Sequence, residues 1–332
     1  MNFRTVSDLS ESVREWSMEL GDDIDLVVGI PRSGLLVANL MALHRNLPMT
    51  DVIGLTNDRF IDTGYRHGTG LSSISDVDRV LVVDDSVNTG RQMRETRERL
   101  ERCEFSFEIE YGAVYTSVEG RQYVDHWHEV VTKPRVFEWN IMHHGRLKNW
   151  CVNIDGVLCR NPTDEENDDG DRYRKFIGEV DSRVVPTKKI GWLVTCRLEK
   201  YRTETEVWLD NHGIVYDELI MMDLPSKEAR QKAENHAKYK AEIYDSIGAD
   251  FFIESSPRQA AEIVEYAGKP VYCFELNQLV EPGRLLRMHN KGSTYLLRFV
   301  QNPLSFSQQA GRFVLSRGRE RLRLTADQYR NN

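Results

Sequence analysis

The chain has 332 residues and a formal net charge of −8, and 40% of its residues are hydrophobic. This composition excludes collagen, a disordered chain and a disulfide-rich miniprotein, and the length predicts two globular domains. The five cysteines form no CxxC pair, which excludes a zinc ribbon and is typical of free thiols in a reducing compartment. We expect a cytoplasmic protein, because the sequence shows neither a signal-peptide pattern nor about 18 consecutive apolar residues.

The first quarter of the chain predicts a helix, a strand, a second helix and a long loop. Amphipathic spacing over Ser7–Leu20 predicts the first helix. The apolar run Ile24–Ile30 predicts a strand, which leads through Pro31–Gly34 into a helical stretch, Leu35–His44. Residues 57–76 are polar and rich in glycine, and they predict a long exposed loop of the kind that often serves as a lid.

A second unit of strand, loop and helix follows. The apolar run Val80–Val83 predicts the strand, and Asp84, Asp85 and the small polar run Ser86–Gly90 separate it from the next helix. Repeated units of this kind predict a parallel α/β sheet, which binds ligands at the carboxyl ends of its strands. Backbone N–H groups at a helix N-terminus suit a phosphate, and paired carboxylates suit the hydroxyls of a sugar. The pattern therefore indicates a pentose phosphate site.

The run VLVVDDSVNTG, together with the earlier run GIPRSG, resembles the signature of type I phosphoribosyltransferases, which bind 5-phosphoribosyl diphosphate (PRPP). The resemblance implies that Asp84 and Asp85 are catalytic-site acids that hold the ribose hydroxyls. It also implies that Ser86–Gly90 cradles the 5-phosphate and that Arg32 with its neighbours meets the diphosphate, whose charge Mg²⁺ neutralises as it leaves. The implied substrate-binding residues of this domain are Arg32, Ser33, Gly34, Ser86, Val87, Asn88, Thr89 and Gly90.

A polar segment, residues 138–148, predicts a domain junction, and a new strand starts at Trp150. This strand ends in Asn153-Ile154-Asp155-Gly156, which resembles the first motif of the haloacid-dehalogenase-like (HAD) phosphatases, normally Asp-x-Asp. In that family the first acid is the nucleophile and the second is the acid/base. Asn153 stands at the nucleophile position, and an amide is a very poor nucleophile. The resemblance therefore implies a catalytic pair, Asn153 and Asp155, that is inactive as written.

Three later segments resemble further motifs of the same family, in the same order. They imply phosphate contacts from Thr195 and Arg197 and from a lysine, Lys240, with Lys238 as its rival. They also imply a Mg²⁺ site formed by Asp155 and Glu254. A natural pseudo-phosphatase and an inactivated variant of a working phosphatase share this pattern, and the retained motif residues favour the inactivated variant.

The carboxyl-terminal segment, residues 283–332, is basic and interleaves arginines with aliphatic and aromatic residues. It predicts either a domain-docking helix or a peripheral contact with the inner face of a membrane. We expect no nucleic-acid partner, because no recognised nucleic-acid motif is present. The whole chain is thus predicted to be an α/β protein with two Rossmann-like parallel-sheet domains, residues 1–140 and 149–282, and a basic amphipathic tail.

The two resemblances together predict a coupled reaction. The arrangement resembles bifunctional PRPP-dependent ribofuranosyltransferase and phosphatase modules of bacterial polysaccharide assembly, such as that of lipopolysaccharide O-antigen. It implies transfer of 5-phosphoribose to a glycan or lipid-linked glycan, with a β-ribofuranosyl product, followed by removal of the 5-phosphate. The alternatives are a nucleobase phosphoribosyltransferase of orotate or purine type with a non-catalytic regulatory HAD-like domain, and a non-catalytic PRPP sensor. The sequence leaves the acceptor and the oligomeric state open, a homo-oligomer included.

Overall fold

The computed structural model describes residues 1–64, 71, 73–232 and 236–283. These residues divide into two compact units, Met1–His144 and a second unit that begins at Gly145. Each unit contains a largely parallel sheet with helices between the strands. The predicted α/β class with parallel sheets is thereby confirmed. The centre of the predicted lid and the basic tail from residue 284 onwards lie outside the described residues. No helix in the described part of the chain is long and apolar enough to cross a membrane.

The first unit contains seven strands and four α-helices within its described residues. In chain order they are β1 (Asn2–Arg4), α1 (Val6–Glu19), β2 (Leu26–Gly29), α2 (Gly34–Arg45), β3 (Met49–Asp51), α3 (Val52–Thr56), β4 (Arg79–Val87), α4 (Arg91–Glu101), β5 (Glu108–Thr116), β6 (His126–Val130) and β7 (Arg135–Phe137). Five strands form a parallel sheet in the order β3-β2-β4-β5-β6, and β1 pairs with β7 separately. Because β2 and β4 are neighbours, the loops that follow them meet at one edge of the sheet.

Helix α1 begins slightly earlier than its predicted start at Ser7, because Thr5 caps it. The Thr5 hydroxyl accepts from the backbone N–H of Asp8, and the Asp8 carboxylate accepts from the backbone N–H of Thr5, so two otherwise unpaired donors are satisfied. The apolar face of the helix, which includes Leu9, Val13 and Trp16, packs into the core on one side of the sheet.

Strand β4 is longer than the predicted Val80–Val83, because it pairs with β5 as far as Val87. Its side chains alternate between two cores: Val80 and Val82 lie in one, and Leu81 and Val83 in the other. A strand covered on both faces is a continuous apolar run, as the sequence shows. The two acids are therefore carried by a paired strand, whereas the sequence predicts them in a loop.

The second unit contains six strands and five α-helices within its described residues. In chain order they are β8 (Trp150–Val152), α5 (Asp171–Glu179), β9 (Ile190–Leu198), α6 (Arg202–Asn211), β10 (Tyr216–Met222), α7 (Lys227–Lys232), α8 (His236–Ser246), β11 (Phe251–Glu254), α9 (Pro257–Ala267), β12 (Val271–Cys273) and β13 (Gln278–Val280). The sheet order is β10-β9-β8-β11-β12-β13, and only β13 is antiparallel to its neighbour. The chain order reverses at β8, so the crevice beyond β8 and β11 is where such a sheet binds ligands.

Candidate functional site

In the first unit, two glycines bring the start of α2 close to the central strands. A Cβ atom on Gly34 would lie 2.6 Å from the carbonyl oxygen of Val83 and 3.2 Å from Oδ1 of Asp84. A Cβ atom on Gly29 would lie 2.7 Å from Cα of Leu35. Only glycine permits these approaches of backbone to backbone. The loop between β2 and α2 therefore lies directly against the acids of β4.

Both carboxylate oxygens of Asp85 accept hydrogen bonds from side chains of other elements. The hydroxyl of Ser33 donates to Oδ1 at 2.7 Å, and the indole Nε1 of Trp139 donates to Oδ2 at 2.7 Å. Asp85 is only 6% exposed, so these donors replace water around a buried acid. The sequence pattern carries no signal for the contact between Trp139 and Asp85.

Asp84 is as deeply buried as Asp85, and its Oδ1 accepts from the backbone N–H of Asp85 at 2.9 Å. Burial, and then the negative charge of the neighbouring Asp85, raise the pKa of Asp84 well above its usual value. Both effects disfavour a second negative charge in the same place. The pair is thus arranged to hold one proton more readily than two isolated acids would.

The predicted phosphate run is divided between the end of a strand and a turn. Ser86 and Val87 belong to β4, whereas Asn88 and Thr89 are exposed between β4 and α4. Gly90 precedes the first residue of α4 and has a φ of 69°, a left-handed conformation that glycine adopts without strain. The exposed turn thus stands before the N-terminus of an eleven-residue helix, where backbone N–H groups favour an anion.

Residues of a neighbouring loop hold this turn in place. The backbone N–H of Ser117 donates to the carbonyl of Val87 at 2.9 Å, and its hydroxyl donates to the carbonyl of Asn88 at 2.9 Å. A Cβ atom on Gly90 would lie only 2.0 Å from the ring of Tyr123, so the aromatic ring closes tightly over the glycine. The sequence pattern has no signal that singles out Ser117 or Tyr123.

Arg32 lies exposed in the loop after β2, and the peptide bond between Pro31 and Arg32 is cis. Its guanidinium donates to Oδ1 of Asn140 at 2.8 Å, and the Gln92 amide donates to the carbonyl of Pro31 at 2.6 Å. The structure therefore brings together, at the ends of β2 and β4, all the residues predicted to bind PRPP. This edge offers carboxylates for sugar hydroxyls beside an exposed cation and a helix N-terminus for phosphates.

In the second unit, Asn153 follows β8 and is 5% exposed. Its Nδ2 donates to the backbone carbonyl of Asp155 at 2.9 Å and to Oε1 of Glu254 at 3.2 Å. Asp155 is held by the guanidinium of Arg197, with Nη2 2.7 Å from Oδ1 and Nε 3.2 Å from both carboxylate oxygens. Thr195 is fully buried, and its hydroxyl accepts from the backbone N–H of Arg197 at 3.2 Å.

The structure distinguishes the two candidate lysines of α8. Lys240 is 2% exposed, and its Nζ donates to Oε2 of Glu254 at 2.6 Å and to Oε1 of Gln259 at 2.9 Å. Lys238 is half exposed and lies 3.8 Å from Glu242 on the same helix. Only Lys240 therefore joins the residues beyond β8 and β11.

The predicted Mg²⁺ pair, Asp155 and Glu254, does not fit a divalent cation as arranged. The carboxylate of Asp155 is paired with Arg197, and that of Glu254 is paired with Lys240 and the amide of Asn153. A hard cation needs several free oxygen ligands. Within the described ranges, no group of three or more His, Cys, Asp or Glu side chains is placed to hold a metal ion.

The thiol of Cys159, which the sequence does not single out, lies beside this pair. Its Sγ is 3.5 Å from Oδ1 of Asp155 and 3.3 Å from Nη2 of Arg197. Burial, and then the charge of Asp155, raise the pKa of Cys159 to about 12. The thiol is therefore neutral at ordinary pH and adds no charge to the cluster.

Comparisons with known proteins bear on the first unit. Residues 5–145 match the phosphoribosyl transferase domain. A curated xanthine-guanine phosphoribosyltransferase from Chromohalobacter salexigens is 32% identical over 109 residues, which are 32% of this chain and 60% of that protein. The chain thus spans three fifths of this relative's length.

Two solved structures also align with the chain. The xanthine-guanine-hypoxanthine phosphoribosyltransferase of Helicobacter pylori is 12% identical, with 42% of this chain and 93% of that chain covered and a TM-score of 0.33. The purine phosphoribosyltransferase of Pyrococcus horikoshii is 19% identical, with coverages of 41% and 92% and a TM-score of 0.30. The family match and the curated relative both indicate that the amino-terminal unit is similar to a phosphoribosyl transferase domain.

Proposed function

We propose that the first unit transfers the 5-phosphoribosyl group of PRPP to a nucleobase and releases diphosphate. The observation that carries this proposal is the placement of Arg32–Gly34 and Asp84–Gly90 at the ends of two neighbouring strands, within the region that matches the phosphoribosyl transferase domain. A sugar phosphate bound there would have its hydroxyls beside the acids and its 5-phosphate at the start of α4.

The two acids have distinct tasks in this proposal. Asp85 is fixed by Ser33 and Trp139, yet each of its oxygens keeps a further lone pair for a ribose hydroxyl. Asp84, whose pKa is raised, binds the neighbouring hydroxyl and holds a proton more readily than an exposed aspartate would. The acids thereby orient the sugar for displacement at its anomeric carbon.

The reaction breaks the bond between the anomeric carbon and diphosphate and forms a bond from that carbon to a ring nitrogen of the base, which gives up its proton. The transition state resembles an oxocarbenium ion, so negative charge close to the ribose stabilises it. Arg32 lies where it would meet the leaving diphosphate. Mg²⁺, which proteins commonly bind through substrate phosphates together with a few carboxylates, would enter with PRPP and neutralise that leaving group.

We favour a nucleobase as the acceptor because the curated relative is named for xanthine and guanine. The glycan acceptor predicted from the sequence has no support in the comparisons. The described residues likewise offer no support for the predicted contact with a membrane, since the basic tail lies outside them.

We further propose that the second unit has a HAD-like fold without phosphatase activity in this chain. Support comes from the parallel sheet order, in which the chain reverses at β8, and from the convergence of Asn153, Asp155, Lys240 and Glu254 beyond β8 and β11. The amide at position 153 cannot form the acyl phosphate that a carboxylate nucleophile would form. A regulatory role fits a unit that keeps the arrangement and lacks the nucleophile.

The test is diphosphate release from PRPP with Mg²⁺ and a panel of guanine, xanthine, hypoxanthine, adenine, orotate and simple sugars. We expect release with one or more bases and none with the Asp84→Asn/Asp85→Asn double variant. Release with a sugar but with no base would overturn the nucleobase assignment. Tight PRPP binding without release for any acceptor would instead indicate a sensor. Hydrolysis of p-nitrophenyl phosphate by the unchanged chain, lost on Lys240→Met, would contradict the proposal for the second unit.

A further inference from the structure

One side-chain amide joins two oxygens from separate parts of the second unit. The Nδ2 atom of Asn153 donates to the backbone carbonyl of Asp155 and to Oε1 of Glu254, 101 residues away. The orientation of the amide is unambiguous, because Oδ1 of Asn153 accepts from the backbone N–H of Ile154 at 2.9 Å. The NH₂ group therefore points between two oxygen atoms. The hydroxyl of Ser255 also approaches both of them, at 3.2 Å from the carbonyl oxygen of Asp155 and 3.3 Å from Oε1 of Glu254.

The charges around this amide are already balanced. Asp155 is paired with Arg197, which is fully buried, and Glu254 is paired with Lys240, and both members of the second pair are almost completely buried. Oε1 of Glu254 also accepts from the backbone N–H of Ser256 at 3.0 Å. Two acids and two bases leave no net charge, so a divalent cation placed here would add two uncompensated positive charges in a buried position.

We propose that the side-chain amide of Asn153 occupies the place of a divalent cation in the second unit, so that this unit is complete without metal. The expectation of a metal rests on the proposed HAD-like fold of the second unit. The contacts of Asn153 do not depend on that proposal. The two N–H groups of the amide donate to oxygens that a cation would otherwise be expected to contact. The amide is neutral, so it adds no charge to the cluster.

A carboxylate at position 153 would remove the donor and the charge balance of this cluster. One of its oxygens would replace Nδ2, close to the carbonyl of Asp155 and the carboxylate of Glu254, and none of the three oxygens would carry a proton. The same position would also hold one uncompensated negative charge. Three convergent oxygens with an excess negative charge are the ligands that Mg²⁺ and Mn²⁺ prefer. The variant Asn153→Asp therefore converts a metal-free cluster into a cation site.

The experiment measures binding of Mn²⁺ to the full chain and its variants in the absence of PRPP. Binding is followed by the decrease of the electron paramagnetic resonance signal of free Mn²⁺. We expect Asn153→Asp to bind one more Mn²⁺ ion than the unchanged chain, and the Asn153→Asp/Glu254→Gln variant to lose that ion. In EDTA the melting temperature of Asn153→Asp should lie below that of the unchanged chain. It should then rise by about 5 °C or more in Mn²⁺ at about 100 times the dissociation constant.

The matched control is Asn153→Ala, which removes the two donors without adding a charge. It should lower the melting temperature, and Mn²⁺ should not restore it. Equal Mn²⁺ binding by the unchanged chain and Asn153→Asp would overturn the proposal.

If Asn153→Asp does not fold in any of these conditions, the unchanged chain decides the question. A melting temperature of its second unit that is the same in EDTA and in Mn²⁺ supports the proposal, and a rise in Mn²⁺ overturns it. Diphosphate release by the first unit is a separate readout. A failure of nucleobase transfer therefore leaves this result untouched, and a failure here leaves the transfer reaction untouched.

Discussion

The indole Nε1 of Trp139 donates a 2.7 Å hydrogen bond to Oδ2 of Asp85, an acid that lies 54 residues earlier in the chain. The ring of Trp139 continues a stack that includes Phe137, with ring centroids 5.0 Å apart, and Tyr115. The stack limits the movement of the indole, so its N–H remains directed at the acid. The orientation of the Asp85 carboxylate thus depends on an aromatic cluster next to β7.

The variant Trp139→Phe keeps the aromatic packing and removes the only donor of the indole. Because a hydrogen bond to a charged group contributes about 1.5–3 kcal/mol, we expect the dissociation constant of PRPP to rise about 10-fold to 150-fold. Titration calorimetry measures this directly. The control is Trp192→Phe in β9, a partly buried tryptophan of the second unit. Unchanged PRPP affinity in Trp139→Phe would show that Asp85 does not need this donor.

The raised pKa of Asp84 predicts how stability changes with pH. A carboxyl whose pKa is raised by folding keeps its proton to higher pH than in the unfolded chain, so the stability it contributes is lost as the pH rises through its folded-state pKa. Each pKa unit of this shift corresponds to about 1.4 kcal/mol. The side-chain amide of the variant Asp84→Asn cannot ionise and escapes the loss, while its oxygen still accepts from the backbone N–H of Asp85.

We therefore expect Asp84→Asn to be more stable than the unchanged chain at neutral pH, and the difference to fade as the pH falls towards the ordinary value of 3.8. Urea unfolding at a series of pH values measures the difference. The control is Glu11→Gln on the exposed face of α1, where no such pH dependence is expected. A variant that loses stability at neutral pH would show that the buried charge is favourable in the folded state. The same variant should lose PRPP binding.

A side chain at position 34 should clash with the backbone where α2 meets β4. An alanine there would place Cβ 2.6 Å from the carbonyl of Val83, and this backbone oxygen cannot move without disturbing the strand. We expect Gly34→Ala to destabilise the chain by about 1–3 kcal/mol and to reduce PRPP binding. The control is Gly178→Ala in α5, where nothing lies within 4 Å of the new methyl group and the helix should gain about 0.5–1 kcal/mol. Equal stability of the two variants would refute the close approach.

Removing one partner of the buried ion pair between Arg197 and Asp155 should strongly lower the free energy of unfolding. Arg197→Met leaves the carboxylate of Asp155 without its partner, and we expect a loss of about 3–5 kcal/mol in the free energy of unfolding. Lys175→Met removes a cation from an exposed pair with Glu179 and should have no measurable effect. Chemical denaturation followed by circular dichroism compares them. A small loss in Arg197→Met would mean that Asp155 is solvated or protonated in the folded chain.

Elements with local signals could be predicted from the sequence. Four consecutive apolar residues before Asp84, and the glycines of the loops after β2 and β4, are short-range features, because a strand end or a turn depends on neighbours within a few residues. Parallel connectivity then places both loops at one edge of a sheet. These features predicted the α/β class and the similarity of the first unit to phosphoribosyl transferase domains.

Contacts between residues far apart in the chain could not be predicted from local patterns. Pairing with β5 extended β4 through both acids, and Trp139 reached Asp85 from the end of the unit. Burial separated Lys240 from Lys238, and the amide of Asn153 met Glu254 at the position where the sequence predicts a cation. Side-chain partners of this kind depend on which elements pack together, and no local spacing along the chain encodes that packing.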